Sequence, residues 1–337
     1  MTEAVIIVLG ISLLLYVVLG GADFGAGIVE MAVGKKGAGT VSKAIAPVWE
    51  ANHIWIILAV VILFNGFPLA YTVMSTYLHI PLLLALIGII IRGTAFSFRY
   101  YDITGGNVYN YYSWFFRISS ILTPFFLGMI LGSIIMGGIP SSTEGSFSDV
   151  FIKPWLNAFT FSTGIFLTLL FGWIASVYLI GEAKDDVFHA FSRITYIFLV
   201  LLVLSGGLVF MVAELLDTGF LRKFLSSPIS IGCVIAATVL VPFLIKSISG
   251  RSISYTRLLA GAITACIMVG WFAVQFPVMI YRAGGDHLTI WNSQAPRATM
   301  YYLMIALIAG VLIILPAFAY LFRVFKFSDE SKTTGTY

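Results

Sequence analysis

The sequence predicts an all-α integral membrane protein of nine transmembrane helices. The amino terminus is expected outside and the carboxyl terminus in the cytoplasm, with the helices arranged as two four-helix bundles plus one peripheral helix. Three observations lead there. Of 337 residues, 60% are hydrophobic and only 10% charged, where a soluble domain carries about a quarter charged residues, and the mean hydropathy is +1.01. Nine apolar runs approach the roughly 20 residues that a spanning helix needs. The basic residues between those runs fall unevenly on the two sides.

Taken in order, the runs cover residues 4–33, 49–67, 73–98, 115–137, 155–180, 190–215, 229–247, 258–280 and 299–322, each bounded by charges, prolines or glycines. The first exceeds the usual length, so it is expected to tilt or protrude. It lacks a basic leading region and a small-residue cleavage site, and reads as a retained membrane segment. Pro124, Pro242, Pro277 and Pro316 fall inside runs and read as tolerated kinks. Cys233 and Cys266 sit in apolar surroundings without paired spacing, which suggests neither a disulfide framework nor a thiolate metal site and reads as core packing. Every connection is short. The expected organisation is one membrane domain: a first bundle at 1–140, a second at 154–282, a ninth helix at 298–325 and a polar tail at 326–337.

An odd number of spans puts the termini on opposite sides. Counting Lys and Arg gives 13 on the side of the first loop against 5 on the other, with Arg92 inside a span. Short loops rich in basic residues stay cytoplasmic, so the first loop and the carboxyl terminus are expected inside. The net charge of +4 is then a topology signal, and it gives no support to nucleic-acid binding.

Ionisable groups inside a span are costly and usually face a protein interior. In "VVLGGADFGAGIVEM" (17–31) an aspartate interrupts an apolar, glycine-rich run. Asp23 and Glu30 lie seven residues apart, nearly two helical turns, so both carboxylates share one face about 10 Å apart. "APVWEANHIWII" (46–57) opens the second span and places Glu50, His53 and Trp55 near its cytoplasmic end. Glu50 and His53, at i and i+3, also share a face and suit proton exchange. The competing reading makes Glu50 a first-turn anion that complements the helix dipole, and makes Asp23 the partner of an arginine. Arg92 is the candidate, and with Arg99 in "RGTAFSFR" (92–99) it forms another i, i+7 pair on one face; a buried arginine beside a buried acid fixes its charge and the helix register. Gly21 and Gly25 form a small-xxx-small pair that signals close helix packing; a broken helix that binds an ion is the other reading.

Haem is the redox cofactor that membrane helices most readily hold. Its two axial ligands must meet at one depth from facing helices. His53 and His189 lie near the cytoplasmic surface, His79 toward the outer half and His287 in an outer loop, so no facing pair is expected. No phosphate-binding loop, dinucleotide motif or paired nucleophile and base is present. By itself the sequence describes a helical membrane protein with an acidic ladder and no haem or metal site of its own.

The three quoted stretches, in this order and with this span count, resemble subunit II of cytochrome bd-type quinol oxidases. The resemblance implies a nine-span subunit of a complex that oxidises quinol, reduces O2 to water with cytoplasmic protons, and builds proton-motive force in the bacterial cytoplasmic membrane. It implies a haem-bearing subunit I as partner, ligating haems b558, b595 and d; a small third single-helix subunit and a structural quinone between subunits are compatible with it. By similarity Asp23 and Glu50, with Glu30 and His53 beside them, line the proton path, Trp55 borders an oxygen passage, and Arg92 and Arg99 are the basic pair of the third motif. Two positions depart from the common pattern: Glu50 stands where aspartate is usual and His53 where glutamine is usual. The alternatives are a proton- or ion-coupled secondary transporter built on a broken first helix, and a purely structural assembly partner.

Overall fold

The computed structural model of the chain describes residues 1–47, 49–101, 107–183, 185–322 and 324. The expected polar tail lies outside the described residues, as do Lys184, Arg323, Lys326 and Lys332 of the orientation count. Among the described residues, nine helices are long and apolar enough to cross a membrane. The first span, Thr2–Val33, consists of an α-helix at Thr2–Leu15, one π-helical turn at Tyr16–Gly20 and an α-helix at Gly21–Val33. Gly34, with φ of +73°, ends it; that left-handed backbone is open to glycine without a Cβ penalty. A short helix, Lys35–Ile45, then leads to the second span at Trp49–Gly66.

Prolines explain where the expected boundaries shift. The run expected at 73–98 divides into a helix at Pro68–Tyr77 and the third span at His79–Tyr101. Pro81 has no N–H for the carbonyl of Tyr77 and its ring crowds that carbonyl, so one continuous helix is broken at Leu78. The eighth span is Ile253–Gln275 and does not reach 280. Pro277 lies past its end rather than kinking it, because the residue before a proline is driven out of the α region; Phe276 is extended, with ψ of 135°. The chain instead forms a strand, Val278–Ile280, paired antiparallel with Leu288–Thr289. The fourth span, Asn107–Met136, begins earlier than its apolar run, since the tyrosine-rich lead-in "NVYNYYSW" is helical without being strongly hydrophobic. The sixth, Asp185–Leu215, also begins early.

The fifth span, Ala158–Ile180, is the most enclosed helix and the axis of the molecule. A capping box between Asn157 and Thr160 starts it, satisfying two otherwise orphaned donors. It packs against the first, fourth and sixth spans, while the third lies along the fourth and the seventh along the eighth. Packing against the first span is backbone-close: a Cβ at Gly25 would stand 1.8 Å from the Phe171 carbonyl oxygen, and one at Gly21 would stand 2.9 Å from the Phe171 ring. Gly21 and Gly25 are therefore contact glycines. The seventh span, Pro228–Ser249, and the ninth, Arg297–Tyr320, are the least enclosed.

Candidate functional site

Both acids of the first span are buried, yet the structure gives them different partners. Glu30 is fully enclosed and tied to two arginines. Nη1 of Arg99 donates to its two oxygens at 2.8 and 3.0 Å, Nε of Arg117 donates at 3.0 Å, and Nη2 of Arg99 donates to Ser42 Oγ at 2.9 Å. The Arg99 guanidinium lies 4.4 Å above the Phe116 ring. This knot joins the first, third and fourth spans to the short helix after the first span. Such pairs fix register, and losing one member leaves an uncompensated charge.

Seven residues earlier, no arginine among the described residues bonds to the Asp23 carboxylate. Nδ2 of Asn52 donates to Oδ2 at 2.8 Å, and that is the one side-chain hydrogen bond to the acid among the described residues. Arg92, expected as its ion-pair partner, donates from Nη2 to the backbone carbonyl of Asp23 at 3.0 Å. Its guanidinium is boxed by Phe24, Trp49, Phe96 and Phe116, at 5.1 to 5.9 Å from the ring centres. The expected acid–arginine pairing is thus present one rung down, at Glu30. The π turn just before Asp23 widens the helix, a feature that recurs at functional sites.

Asp23 is surrounded by polar atoms with unmet bonding capacity. Tyr16 Oη, Asn52 Oδ1, His53 Nδ1 and the Nε and Nη1 of Arg92 are all buried without a hydrogen-bond partner. Buried polar atoms are nearly always satisfied, by protein or by ordered water. Five buried polar atoms on Tyr16, Asn52, His53 and Arg92 thus keep bonding capacity that Asp23's own environment does not use.

Glu50 and His53 do not pair. The second span is irregular at His53, with α-helix at Trp49–Asn52 and again at Ile54–Gly66. Glu50 stays exposed in the first turn, whereas the His53 ring turns inward to Tyr16 and Phe24, 6.1 and 5.6 Å away. Trp55 is buried with an unpaired indole N–H, edge-on to Phe318 of the ninth span at 5.7 Å. Three participants were not singled out from the sequence. Asn52 is a neutral amide inside the second motif, Arg117 reads from the sequence as a cation of the orientation bias, and Tyr16 lies one seven-residue step before Asp23, a spacing that places it on the same face.

The four histidines have separate neighbours: Tyr16 and Phe24 for His53, Phe151 for His79, Phe188 for His189 and Tyr281 for His287. No group of three or more His, Cys, Asp or Glu among the described residues is placed to hold a metal ion.

A family model described as cytochrome bd terminal oxidase subunit II matches residues 1–325. The chain is similar to the cytochrome bd ubiquinol oxidase subunit 2 of Bacillus subtilis (strain 168), 27% identical over 159 residues that make up 45% of each chain. It is also similar to the cytochrome bd-I ubiquinol oxidase subunit 2 of Escherichia coli (strain K12), 26% identical over 179 residues, 52% of this chain and 44% of that one. Each match spans less than half of the relative's length. In three dimensions the chain is similar to a chain in the structure of bd oxidase from Geobacillus thermodenitrificans, with a TM-score of 0.77 at 19% identity, covering 97% of this chain and 98% of that one. That likeness shows the shared fold.

Proposed function

We propose that this chain, which belongs to the cytochrome bd terminal oxidase subunit II family, lines part of a proton route in a membrane quinol:O2 oxidoreductase. Its partner is a haem-bearing subunit I, whose haems supply the oxygen chemistry. The basic first loop faces the cytoplasm, as the excess of Lys and Arg on that side favours, so protons enter from the end of the first span that carries Asp23 and Glu30.

One observation carries the reading: Asp23 is buried beside an amide and a set of unmet polar atoms, and not in an ion pair. A carboxylate locked to two arginines, as Glu30 is, has both oxygens committed and serves as an anchor. Asp23 keeps bonding capacity, and the polar atoms around it can hold the water that hands protons on. Glu50, exposed at the start of the second span, would collect protons, and His53 would lie between it and Asp23. Trp55, against the ninth span, would border the oxygen passage. The transporter alternative requires a broken first helix at the glycines, whereas residues Gly21–Val33 form an unbroken α-helix.

The test uses the purified complex carrying Asp23→Asn. Quinol-driven oxygen consumption is expected to fall by at least about tenfold, in line with loss of a proton-transferring group, while the visible haem spectrum is kept. Full turnover would overturn the proposal; loss of haem together with turnover would assign Asp23 a structural role instead.

A further inference from the structure

One face of the sixth span changes chemistry along its length. His189, Ser192, Arg193 and Tyr196 lie at i, i+3, i+4 and i+7, and the same stripe continues as Ile197, Val200 and Leu201. Together they line an open groove of about 670 Å³. Ser192 is the buried member, 8% exposed, and its Oγ has no hydrogen-bond partner. Thr195 and Ser205 of the same helix bond instead to carbonyls of the preceding turn, at 3.0 and 2.9 Å. Arg193 is exposed and makes no ion pair among the described residues. Ile197 and Val200 are at least half exposed, at 50% and 58%.

At 1.5 Å per residue, the step from His189 to Tyr196 covers about 10 Å of helix axis. That is enough to cross a headgroup layer of about 6 Å and reach the acyl boundary, where the stripe turns apolar. A tyrosine at this junction suits the interface, where aromatic side chains concentrate. An exposed guanidinium and an imidazole on one polar step, above a bare aliphatic step, match the two parts of one lipid molecule. Basic positions between or beside spans are recognised sites for anionic headgroups.

We propose that this groove is a binding site for one anionic phospholipid in the leaflet at the first-loop end. Its phosphate lies against Arg193 and His189, and an acyl chain runs over Ile197, Val200 and Leu201. The site is independent of Asp23.

The experiment takes the purified complex into micelles holding equal amounts of phosphatidylglycerol and phosphatidylcholine and counts retained lipid by native mass spectrometry. Phosphatidylglycerol should be retained preferentially, and Arg193→Ala should lower its retention about fivefold, the effect of one basic residue near the surface. Lys246→Ala, an exposed charge at the same end of the seventh span, should leave retention unchanged. Equal retention of the two lipids, wild-type retention in Arg193→Ala, or the same loss in Lys246→Ala would overturn the proposal. Displacement of the lipid by inorganic phosphate would show a free-anion site, and release of a partner subunit by Arg193→Ala would show a protein interface; both outcomes also overturn it.

Discussion

Asp23 and Glu30 occupy the same face of one helix, are both buried, and carry the same functional group. Glu30 is held by two guanidinium groups from two other spans, whereas Asp23 is held by one amide among atoms that lack partners. Burial therefore does not decide what an intramembrane acid does; its partners do. On the proposed function, the carboxylate saturated by arginines serves as cement and the one left partly unsatisfied exchanges protons.

Breaking the cement should have the largest effect. Arg99→Ala leaves a fully enclosed Glu30 with Arg117 alone, and losing one partner of a buried pair costs about 3–5 kcal/mol. Thermal unfolding of the purified complex should show that loss, and Glu30→Gln combined with Arg99→Ala should recover part of it. Gly25 lies between the two acids and tests whether both depend on one helix contact. Gly25→Ala places a methyl against the backbone of Phe171, which cannot give way like a side chain, so a cost of about 3 kcal/mol is expected. The measurement is the yield of assembled complex.

A smaller loss of stability is expected at the open site. Asn52→Leu removes the donor to Asp23 and should cost about 1–3 kcal/mol, with a loss of turnover larger than the loss of stability implies. Wild-type turnover in Asn52→Leu would show that the amide has no part in the chemistry. The smallest effect is expected far from both acids, where the strand pair at the other end meets the loop after the fourth span. Asp286 accepts hydrogen bonds from Ser141 and Arg282, and the Ser141 bond first, then a bond from its own backbone and the Arg282 charge, hold its carboxyl below the usual range. A depressed folded value means that the contact contributes above the unfolded carboxylate pKa, about 3.9, and is lost as pH falls through the lower folded value. Hydrogen exchange in the 278–289 strand pair, corrected for intrinsic rate, should rise below about pH 4 and lose that pH dependence in Asp286→Asn.

Much of this architecture was legible in the chain, because a spanning helix declares itself by length and apolarity alone. What was hidden had local causes. The strand at Val278–Ile280 lay inside an apolar run that hydropathy cannot divide, and only Pro277 marked the break. The division at Leu78 was signalled by Pro81 in the same way. At the site, Asp23, Glu30, Arg92 and Arg99 were identified as buried charges, but which arginine meets which acid depends on how three helices rotate against one another. A one-dimensional pattern does not carry that rotation, and the π turn at Tyr16–Gly20 changes it again. Asn52 escaped notice because a neutral amide carries no charge signal, although it is the side chain that holds Asp23.

Infrared difference spectroscopy of the purified complex, recorded between oxidised and reduced states, reads the protonated-carboxyl stretch and so tests directly which acid exchanges protons. A band that disappears in Asp23→Asn and survives in Glu30→Gln is the predicted result. A band that survives in Asp23→Asn, or that vanishes only in Glu30→Gln, would contradict the division of labour between the two acids.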